Sequence, residues 1–399
     1  MNILFLSVYE IKDSNSGYIY ADLISEFAKH DHNIYAVTPT KSSTQFFTDT
    51  NGVKIIKIKN GQIQKTGRVK KVINLLTLEK NTVKAIKKFA KNVKFDLVIN
   101  MSSNLSYSKT MTYFKKRDNA VAYLLLKDIF PQNAVDMKMI KTSGLSGIIY
   151  NHFKKKEKKV YKAADYIGCM SKANLNYVSA NNPDIDLKKL TIVPNSIIPQ
   201  DTAIMREERD AMRAKYGLPL DKTIFVYGGN LGKPQGIPFI IECLKSQKDN
   251  DDAFFFIVGD GTEYGKLEQF AENVKPANVK IMKRLPREDF DSMLASCDVG
   301  MIFLDHRFTV PNYPSRLLSY LQAGLPVFAC TDANSDVGKD AVDNGFGWWC
   351  ASDSVDDFVS VMDKIKESNL GGMSENAKKF LCEKNSAEMG YNEIMAVMQ

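Results

Sequence analysis

The stretch that decides the fold runs Phe308-Thr-Val-Pro-Asn-Tyr-Pro-Ser-Arg-Leu-Leu-Ser-Tyr-Leu-Gln-Ala-Gly-Leu-Pro-Val-Phe-Ala329. It predicts a loop, a short helix, a turn and a buried strand. Ser315 is suited to cap the helix, because a serine hydroxyl accepts a hydrogen bond from one of the first free amides. Gly324 suits the left-handed residue that ends a helix, and Pro326 prevents the helix from restarting. The apolar run from Leu325 to Ala329 is typical of a strand covered on both faces.

A helix in this position directs its first free N–H groups at the crevice above the strand ends, where parallel α/β domains bind anions. Arg316, in the first turn, adds a fixed positive charge that suits a phosphate. An equally simple interpretation is a capped core helix with a surface arginine, and this stretch alone does not decide between the two.

Length and composition favour a soluble protein of two or three domains. The chain has 399 residues, of which 44% are hydrophobic and 25% charged, which is ordinary for globular proteins. We expect no signal peptide, because the N-terminus lacks a basic lead, an apolar core and a cleavage site. No apolar run approaches the ~20 residues of a membrane span. The cysteines show no disulfide or zinc spacing and are expected to be reduced core residues of a cytoplasmic protein: Cys169, Cys243, Cys297, Cys330, Cys350 and Cys382.

The net charge of +8 conceals an asymmetry between the two halves. Residues 1–200 hold 32 Lys and Arg against 15 Asp and Glu, or +17, whereas residues 201–399 hold 22 against 31, or −9. Two domains with different partners are therefore expected, and the basic half suits an anionic lipid, a nucleic acid or a phosphorylated substrate.

The first half alternates apolar strands with helical patterns, as a parallel α/β sheet does. Gly17 lies where the first loop meets the first helix, so the backbone there could approach a ligand closely. The alternative is that Gly17 only relieves a turn, and without a G-x-G-x-x-G pattern a dinucleotide site is not expected. The predicted strands are Asn2–Val8, Ile34–Val37, Val53–Ile58, Asp96–Asn100, Ala120–Leu126, Ala164–Met170 and Leu190–Val193.

Two basic segments in this half suggest a surface for an anionic membrane. One is the helix around residues 68–93, with Lys70, Lys71, Lys80, Lys84, Lys87, Lys88 and Lys91. The other carries Lys154, Lys155, Lys156, Lys158, Lys159 and Lys162, preceded by Leu145, Ile148, Ile149, Tyr150 and Phe153. The second combination is typical of an amphipathic helix that lies on anionic lipid. The alternative is a solvated helix face over an ordinary core.

Lys127 and Asp128 directly follow a buried strand. Polar groups at the carboxyl end of a parallel strand are well placed to meet a ligand. We therefore prefer a ligand-facing role for this pair over the alternative, a helix-capping aspartate close to Pro131.

The second half repeats the alternation, and its strands end in glycine-rich or basic turns. These turns are residues 228–236, 259–261 and 283–286, and the opening stretch follows the fourth strand. Because all such turns lie on one edge of a parallel sheet, that edge offers backbone amides together with Lys233, Lys283, Arg284 and Arg316. This composition is expected of a diphosphate site, although the first loop is no Walker loop because it lacks the Lys-Ser/Thr ending.

No metal site is expected. Asp184 and Asp186 have the D-x-D spacing, but Pro183 and polar neighbours place them in a loop before a strand. The four histidines, at positions 30, 32, 152 and 306, lack ligand spacing, and no serine-hydrolase pattern is present.

Taken together, these residues resemble the retaining GT-B glycosyltransferases of family 4, particularly the bacterial branch that builds capsule and O-antigen. The likeness covers nearly the whole chain. Asp128-Ile-Phe-Pro131 resembles the Asp-x-x-Pro of that branch. The other matching points are Ser16-Gly17, the turn at His32, Ala164-Asp-Tyr with Ser171, Ile192-Val-Pro-Asn195, Gly229-Asn-Leu-Gly with Gln235-Gly236, Val258-Gly-Asp-Gly261, Cys297-Asp298, and Pro314-Ser-Arg-Leu with Ala323-Gly-Leu-Pro326.

The resemblance implies an α/β GT-B fold, in which two Rossmann-like parallel-sheet domains face a cleft. Residues 1–197 would bind the acceptor, residues 198–383 the nucleotide-sugar, and residues 384–399 would form a helix that returns to the first domain. The resemblance also implies no metal and no cofactor beyond the donor, expected to be a UDP-sugar. Positive side chains and helix dipoles would stabilise the departing diphosphate.

The resemblance further assigns roles to individual residues. Asp128, Lys233 and Arg316 would be catalytic, and Lys127 and Ser171 would lie on the acceptor side. The donor would be bound by Gly17, Gly229, Asn230, Gln235, Gly259, Gly261, Arg284, Ser315, Leu317 and Ser319.

The chain departs from the family pattern in two places. Asn230 and Gln235 occupy positions where most members carry the Arg and Lys of a phosphate clamp, so Lys233 and Arg316 are the expected substitutes. Pro311 and Ser319 occupy the positions of two glutamates, the second of which usually holds the nucleotide ribose. A serine could still bond a ribose hydroxyl but is not a carboxylate, so this departure bears on donor affinity and on activity.

The sequence as a whole predicts a retaining glycosyltransferase of surface polysaccharide synthesis, which transfers a sugar from a nucleotide-diphosphate donor to a lipid-linked saccharide. The basic half predicts a cytoplasmic protein peripheral to the inner face of the cell membrane, and no nucleic-acid partner is expected. Two alternatives remain. One is a nucleotide-sugar epimerase on the same fold, which would need paired acid and base groups. The other is a non-catalytic, transferase-like partner protein, which Ser319 favours.

Overall fold

The structure is a computed structural model that describes residues 1–15, 17, 19–60, 68–101 and 105–398. Within these ranges, the side chains of residues 68–73, 75, 76 and 145 lie outside the description, and so do the predicted membrane contacts of Lys70, Lys71 and Leu145. The chain divides into two compact units. The first comprises Met1–Ile198 and Asn385–Gln399, and the second comprises Pro199–Lys384.

The first unit is built on an eight-stranded sheet of order β3-β4-β2-β1-β5-β6-β7-β8 among the described residues. All pairings are parallel except that of β3 with β4. The strands are β1 Asn2–Leu6, β2 Asn33–Thr40, β3 Gln45–Thr48, β4 Lys54–Lys59, β5 Leu97–Asn100, β6 Val121–Leu126, β7 Tyr166–Cys169 and β8 Leu190–Ile192. The helices are α1 Ile19–Ala28, α2 Arg68–Phe89, α3 Ser108–Asp118, α4 Gln132–Asp136, α5 Gly144–Ala163 and α6 Lys172–Asn181.

The alternating strands predicted for this half are confirmed, with ends that differ by one to three residues. The antiparallel edge strand β3 was not predicted. Its four residues are exposed or half-buried, so they do not form the apolar run by which a central strand is recognised.

The second unit is built on a six-stranded parallel sheet of order β11-β10-β9-β12-β13-β14 within its described residues. The strands are β9 Thr223–Asn230, β10 Ala253–Asp260, β11 Val279–Lys283, β12 Val299–Phe303, β13 Val327–Thr331 and β14 Gly347–Ala351. The helices are α7 Arg206–Tyr216, α8 Ile237–Ser246, α9 Tyr264–Val274, α10 Arg287–Leu294, α11 Arg316–Gln322, α12 Asp336–Asp343, α13 Val355–Lys366 and α14 Leu370–Lys384.

The last helix, α15 Ala387–Ala396, packs on α1 of the first unit. The ring of Tyr391 stacks on His30 with centroids 3.8 Å apart and meets Phe27 edge-on at 4.7 Å. The Tyr391 hydroxyl lies 3.1 Å from Nε2 of His32. His32 therefore has a structural partner, as its place at a helix–strand turn predicts.

Two expectations from composition can be compared with the structure. Among the described residues, no helix combines the length and the hydrophobicity needed to cross a bilayer. Five of the six cysteines are buried and none is in a disulfide, but Cys382 is exposed. The prediction of a core position is therefore wrong for Cys382, which lies on the outward side of α14.

Helix α7 is held to the second sheet by a buried ion pair. Arg213 is 1% exposed, and its Nη2 donates to the carboxylate of Asp298 at 2.6 Å. The same carboxylate accepts a hydrogen bond from Nη2 of Arg209 at 2.5 Å and from the backbone N–H of Ile224 at 2.7 Å. Asp298 thus joins the first helix of the unit to the first residues of its central strand β9.

Replacing Asp298 with Ala is expected to destabilise the second unit by about 3 kcal/mol, because it leaves the buried Arg213 charge without its carboxylate. The matched control is Arg209→Ala, which removes the more exposed partner and should cost at most ~1 kcal/mol. Both tryptophans of the protein lie in β14, so urea unfolding followed by tryptophan fluorescence reports on this unit. Equal losses in the two variants would contradict the anchoring role.

Candidate functional site

The turns after β9, β10 and β11 lie side by side on one edge of the second sheet. Gly259 pairs with Gly229 on one side and with Lys283 on the other, and Asp260 pairs with Asn230. The common edge predicted for these turns is therefore confirmed. It gathers backbone amides at the carboxyl ends of three adjacent strands, which is where ligands bind in such sheets.

Gly259 and Gly261 allow the backbones at this edge to approach each other closely. A Cβ atom on Gly259 would collide with the carbonyl oxygen of Gly229, and one on Gly261 with the backbone of Leu231. The structure therefore gives both glycines a packing role. Their predicted contact with a donor stays a prediction.

Arg316 lies over the end of β9 with part of its guanidinium group unpaired. The guanidinium carbon is 4.2 Å from the centre of the Tyr227 ring. A Cβ atom on Gly229, which has a φ of +130°, would stand 3.4 Å from Nη2 of Arg316. Nη1 is buried and has no hydrogen-bond partner. Because a buried donor without a partner costs ~1–3 kcal/mol, this nitrogen is suited to an anionic ligand.

Two buried tyrosines hold this arrangement, and sequence reasoning missed both. The hydroxyl of Tyr320 accepts a hydrogen bond from the Gly228 N–H at 3.1 Å and donates to the Met301 carbonyl at 3.0 Å. The hydroxyl of Tyr227 donates to the Asn230 carbonyl at 2.7 Å. Burial raises the pKa of both phenols, and the nearby Arg316 partly opposes the rise. The hydroxyl of a buried tyrosine needs a hydrogen-bond partner. A tyrosine within an apolar segment is therefore the sequence signal that could have pointed to Tyr227 and Tyr320.

The loop from Gly228 to Gly236 is held by its own amide side chains. Oε1 of Gln235 accepts hydrogen bonds from Nδ2 of Asn230 at 2.8 Å and from the Gly232 N–H at 3.1 Å. Asn230 and Gln235 therefore fix the shape of the loop and contribute no positive charge. Lys233 is exposed at the short 3₁₀ turn Lys233–Gln235, and its catalytic role stays a prediction.

The prediction that the Ser315 side chain caps α11 is wrong. Ser315 occupies the cap position, but its backbone is helical, with a φ of −64°, and its hydroxyl makes no capping bond. The Leu317 N–H donates to the Pro314 carbonyl and the Leu318 N–H to the Ser315 carbonyl. This tight first turn uses two amide groups that a ligand was expected to meet. For anion binding, the charge of Arg316 is therefore more important than the amide groups at the start of α11. The left-handed Gly324, with a φ of +66°, is confirmed.

Two residues that the sequence places at this edge, Lys283 and Leu317, make other contacts in the structure. Nζ of Lys283 lies 3.6 Å from the centre of the Tyr264 ring and 3.7 Å from a carboxylate oxygen of Glu268. Lys283 thus pairs with α9 in the structure, and its predicted contribution to the site beside Arg316 stays a prediction. The Leu317 side chain is fully buried, so it packs in the core, and the predicted donor contact of this residue stays a prediction.

Two further predicted donor-binding residues of the second unit, Ser319 and Arg284, are accessible to solvent. Ser319, three residues after Arg316 on α11, is half-buried, and Arg284, directly after β11, is exposed. Their donor-binding roles stay predictions.

On the first unit, Lys127 has a structural role. Its Nζ donates to the carbonyls of Val193 at 2.9 Å and Pro194 at 3.0 Å, so it ties the end of β6 to the segment after β8. Loss of hydration lowers the pKa of its ammonium group to about 7, and the nearby Cys169 opposes this. The ammonium group thus already bonds two protein carbonyls, and its acceptor-side role stays a prediction.

Ser171, also predicted on the acceptor side, caps α6. Its Oγ accepts a hydrogen bond from the Asn174 N–H at 3.2 Å, and the residue is buried. The predicted helix start at Ser171-Lys172 is confirmed, but the hydroxyl is used for capping. Gly17 has a φ of +61° and is half-buried, so its left-handed turn alone accounts for the glycine.

Asp128 remains available at the end of β6. Its side chain reaches solvent, and Oδ1 accepts a hydrogen bond from Nδ2 of Asn133. Although the side chain reaches solvent, the surrounding protein removes part of its hydration and so raises the pKa of the carboxyl group to about 6, against the opposing effect of the Ile129 N–H. A carboxyl group with this pKa exchanges a proton near neutral pH, as acid–base chemistry requires.

No described residues form a group of three or more His, Cys, Asp or Glu that could hold a metal ion. Of the Asp184–Asp186 pair, Asp184 is exposed, whereas Asp186 caps a 3₁₀ turn by accepting a hydrogen bond from the Lys188 N–H. The two carboxylates are thus not brought together at a site.

Residues 208–381, which lie within the second unit, match the family described as glycosyl transferases group 1. WbjE of Pseudomonas aeruginosa, named as a probable glycosyltransferase, is 25% identical over 255 residues, which make up 63% of this chain and 62% of WbjE. TuaC of Bacillus subtilis, named as a glycosyltransferase of teichuronic acid biosynthesis, is 26% identical over 193 residues, 46% of this chain and 44% of TuaC. The chain thus spans less than two thirds of these relatives.

Solved structures share the fold over almost the whole chain. Sucrose-phosphate synthase from Thermosynechococcus elongatus has a TM-score of 0.75 at 13% identity, covering 100% of this chain and 98% of that one. WaaG, a glycosyltransferase involved in lipopolysaccharide biosynthesis, has a TM-score of 0.69 at 15% identity and 99% coverage of both chains. HepE of Anabaena, solved with UDP and glucose, has a TM-score of 0.65 at 12% identity, covering 100% and 99%.

The fold is that of GT-B glycosyltransferases. The match to the group 1 family and the names of the relatives support a role in glycosyl transfer.

Replacing Arg316 with Met is expected to weaken the binding of UDP, GDP and dTDP roughly ten- to hundredfold, because it removes charge-assisted hydrogen bonds to the diphosphate. Isothermal titration calorimetry measures the effect. The matched control is Arg206→Met, which removes a side chain that is 88% exposed on α7 of the same unit. Unchanged affinity in the Arg316 variant would remove this residue from the anion site.

Proposed function

We propose that this protein is a retaining, metal-independent glycosyltransferase of the family 4 type. It transfers a sugar from a nucleotide-diphosphate donor, with a UDP-sugar as the preferred candidate, to a lipid-linked saccharide in the synthesis of a surface polysaccharide such as capsule or O-antigen. The single observation that carries the proposal is the unpaired Nη1 of Arg316 at the carboxyl end of β9.

Arg316 supports a reaction in which negative charge develops on a diphosphate. In the proposed transfer, the bond between the anomeric carbon and the diphosphate oxygen breaks, and a bond to the acceptor oxygen forms on the same face. The acceptor proton passes to the departing phosphate oxygen. A fixed positive charge stabilises that leaving group without reorganisation, an effect usually worth several kcal/mol. Lys233, exposed on the adjacent loop, is the proposed second charge.

The donor site is proposed to be less charged than is usual in the resembled family. Asn230 and Gln235 bond each other and supply shape in place of charge. Ser319 offers a hydroxyl where a carboxylate would bond the ribose. HepE, which shares the fold, was solved with UDP-glucose, and this supports testing UDP-sugars first.

The proposed acceptor is a lipid-linked saccharide, reached from the membrane surface. Three exposed apolar side chains of the first unit support this proposal: Met139, Ile148 and Ile149 are 65%, 68% and 51% exposed. Exposed lysines flank Met139, at positions 138 and 141, and follow further along α5, at positions 155, 158, 159 and 162. Apolar side chains beside a basic helix face are suited to the boundary of an anionic bilayer. The proposed location is the inner face of the cell membrane.

The structure changes which residues make up this surface. Tyr150 and Phe153, expected on the apolar face, are half-buried, and the Phe153 ring packs edge-on against Phe130 with centroids 4.9 Å apart. Met139, which precedes α5, was not expected. We therefore assign the contact to α5 and the segment before it, and name it the α5 surface, comprising Met139, Ile148, Ile149 and the six exposed lysines.

A transfer assay tests the proposed activity. The protein is supplied with radiolabelled UDP-, GDP- and dTDP-sugars, with and without a membrane extract as acceptor. A transferase releases free nucleoside diphosphate and labels the lipid fraction only when acceptor is present. Conversion of the donor to a second nucleotide-sugar without acceptor would instead identify an epimerase and contradict the proposal.

A non-catalytic partner protein is the second candidate, and Ser319 is the observation that favours it. A protein of this kind would hold other transferases together without turnover. Calorimetry distinguishes the two, since a chain that binds none of the UDP, GDP and dTDP sugars supports the partner role. Binding that falls on Arg316→Met supports the enzyme.

Asp128, proposed to orient the acceptor hydroxyl by accepting a hydrogen bond from it, is expected to impose an acidic limb on the activity. Its pKa is raised from 3.8 to about 6, so the carboxylate form predominates above pH ~6 and is lost as the pH falls through that value. We expect kcat/KM to fall about tenfold per pH unit below this point, and the limb to disappear, with low activity, in Asp128→Asn. Asn133→Ala removes a hydrogen bond to the charged form and should move the limb to higher pH. A limb near pH 4 would contradict this role.

Liposome flotation tests the α5 surface. With vesicles of phosphatidylglycerol and phosphatidylethanolamine, we expect salt-sensitive binding that falls roughly tenfold or more when Ile148 and Ile149 are both replaced by Ser. The matched control is Leu187→Ser, which changes a side chain that is 66% exposed elsewhere on the first unit. Binding that is absent, or that falls equally in the control, would contradict a membrane role for this surface.

A further inference from the structure

A polar pocket of about 420 Å³ lies on the first unit at the carboxyl ends of β2 and β4. Lys41 directly follows β2, and Lys59 is the last residue of β4, which pairs with β2 in parallel. The remaining lining residues are Asn60 and three residues of α2: Asn74, Thr77 and Asn81. The volume lies within the ~300–1,000 Å³ of small-molecule sites.

The wall of this pocket is fixed by Asn60, which is 6% exposed. Its Nδ2 donates to the Asn74 carbonyl at 2.7 Å. Its Oδ1 accepts hydrogen bonds from the Thr77 hydroxyl at 3.0 Å and from Nδ2 of Asn81 at 2.8 Å. These bonds hold the side chains of Thr77 and Asn81 in one arrangement, and a fixed arrangement of polar groups is a requirement for selective binding.

Both lysines of the pocket keep their charge available. Each is exposed, and within the part of the chain that the structure describes neither lies within 4.0 Å of a carboxylate oxygen. Glu10, the acidic residue bonded at the end of β2, accepts a hydrogen bond from the Thr40 hydroxyl at 2.9 Å. Two ammonium groups beside neutral amides and hydroxyls match a ligand that carries negative charge on a polyhydroxylated body.

The pocket shares a sheet edge with Asp128. In the strand order β4-β2-β1-β5-β6, four steps separate β4 from β6, which corresponds to about 19 Å at the usual strand spacing. A ligand group in the pocket thus lies too far from Asp128 to be the sugar that reacts there, yet on the same edge.

We propose that this pocket binds an acidic sugar of the acceptor saccharide, one whose carboxylate meets Lys41 and Lys59 and whose hydroxyls meet the amides of α2. The inference rests on the proposed function, because it assigns part of the acceptor. The acidic unit is a different residue of the acceptor from the one that receives the new sugar. The pocket therefore selects polymers that already contain uronic acid.

Calorimetry with a short oligogalacturonate tests the assignment, with its methyl ester as the neutral counterpart. We expect the unmodified protein to bind the acid and not the ester. The double variant Lys41→Gln/Lys59→Gln should bind the acid roughly tenfold more weakly or worse, since it removes two ionic contacts. The matched control, Lys109→Gln/Lys116→Gln, removes two exposed charges from α3 of the same unit and should bind as the unmodified protein does.

Three outcomes would overturn the inference even if the protein binds oligogalacturonate or phosphate. They are equal binding of acid and ester, an equal loss in the two double variants, and a loss of inorganic phosphate binding in Lys41→Gln/Lys59→Gln with the acidic sugar unaffected. The last would assign the pocket to a phosphate. UDP binding, measured on the same proteins, should be unchanged by the pocket variant. If UDP binds and oligogalacturonate does not, the inference fails while the proposed function stands.

Discussion

Close contact between the backbones at the ends of β9 and β10 is the constraint on which the second unit depends. Only glycine at 259 and 261 lets the β10 turn lie against Gly229 and Leu231. This contact sets the course of the loop after β9. Gly229 itself has a φ of +130°, a backbone angle that favours glycine, and the guanidinium group of Arg316 lies beside it. The loop beside this charged group thus depends on the absence of side chains at positions 259 and 261.

The edge of the second sheet combines rigidity with little charge. The loop after β9 is closed by the Asn230–Gln235 amide pair, and the strand beneath it is held by the hydroxyls of Tyr227 and Tyr320. These neutral groups satisfy one another and leave Arg316 as the residue with an unpaired buried donor at this edge among those described. In a site of this kind, the fixed position of one charged group contributes more to ligand stabilisation than the number of charges does.

Much of this fold could be predicted from local patterns, since alternating apolar runs and glycine-rich turns report directly on parallel strands and their ends. The turns after β9, β10 and β11 are examples. Local patterns do not report on which distant group a side chain meets. Lys283 turns to Glu268, Lys127 bonds carbonyls after β8, and the first turn of α11 tightens so that Ser315 caps nothing. Each depends on a neighbour far away in sequence or on a small change of backbone angle.

The return of α15 to α1 makes the first unit discontinuous in sequence, whereas the second unit is a single continuous segment. During synthesis the ribosome completes Pro199–Lys384 before it has made the helix that covers α1. The apolar side chains of α1 that meet Tyr391 and Ile394 therefore stay uncovered while an entire second domain emerges and folds. The first unit is therefore completed only after the segment that forms the second unit has been synthesised.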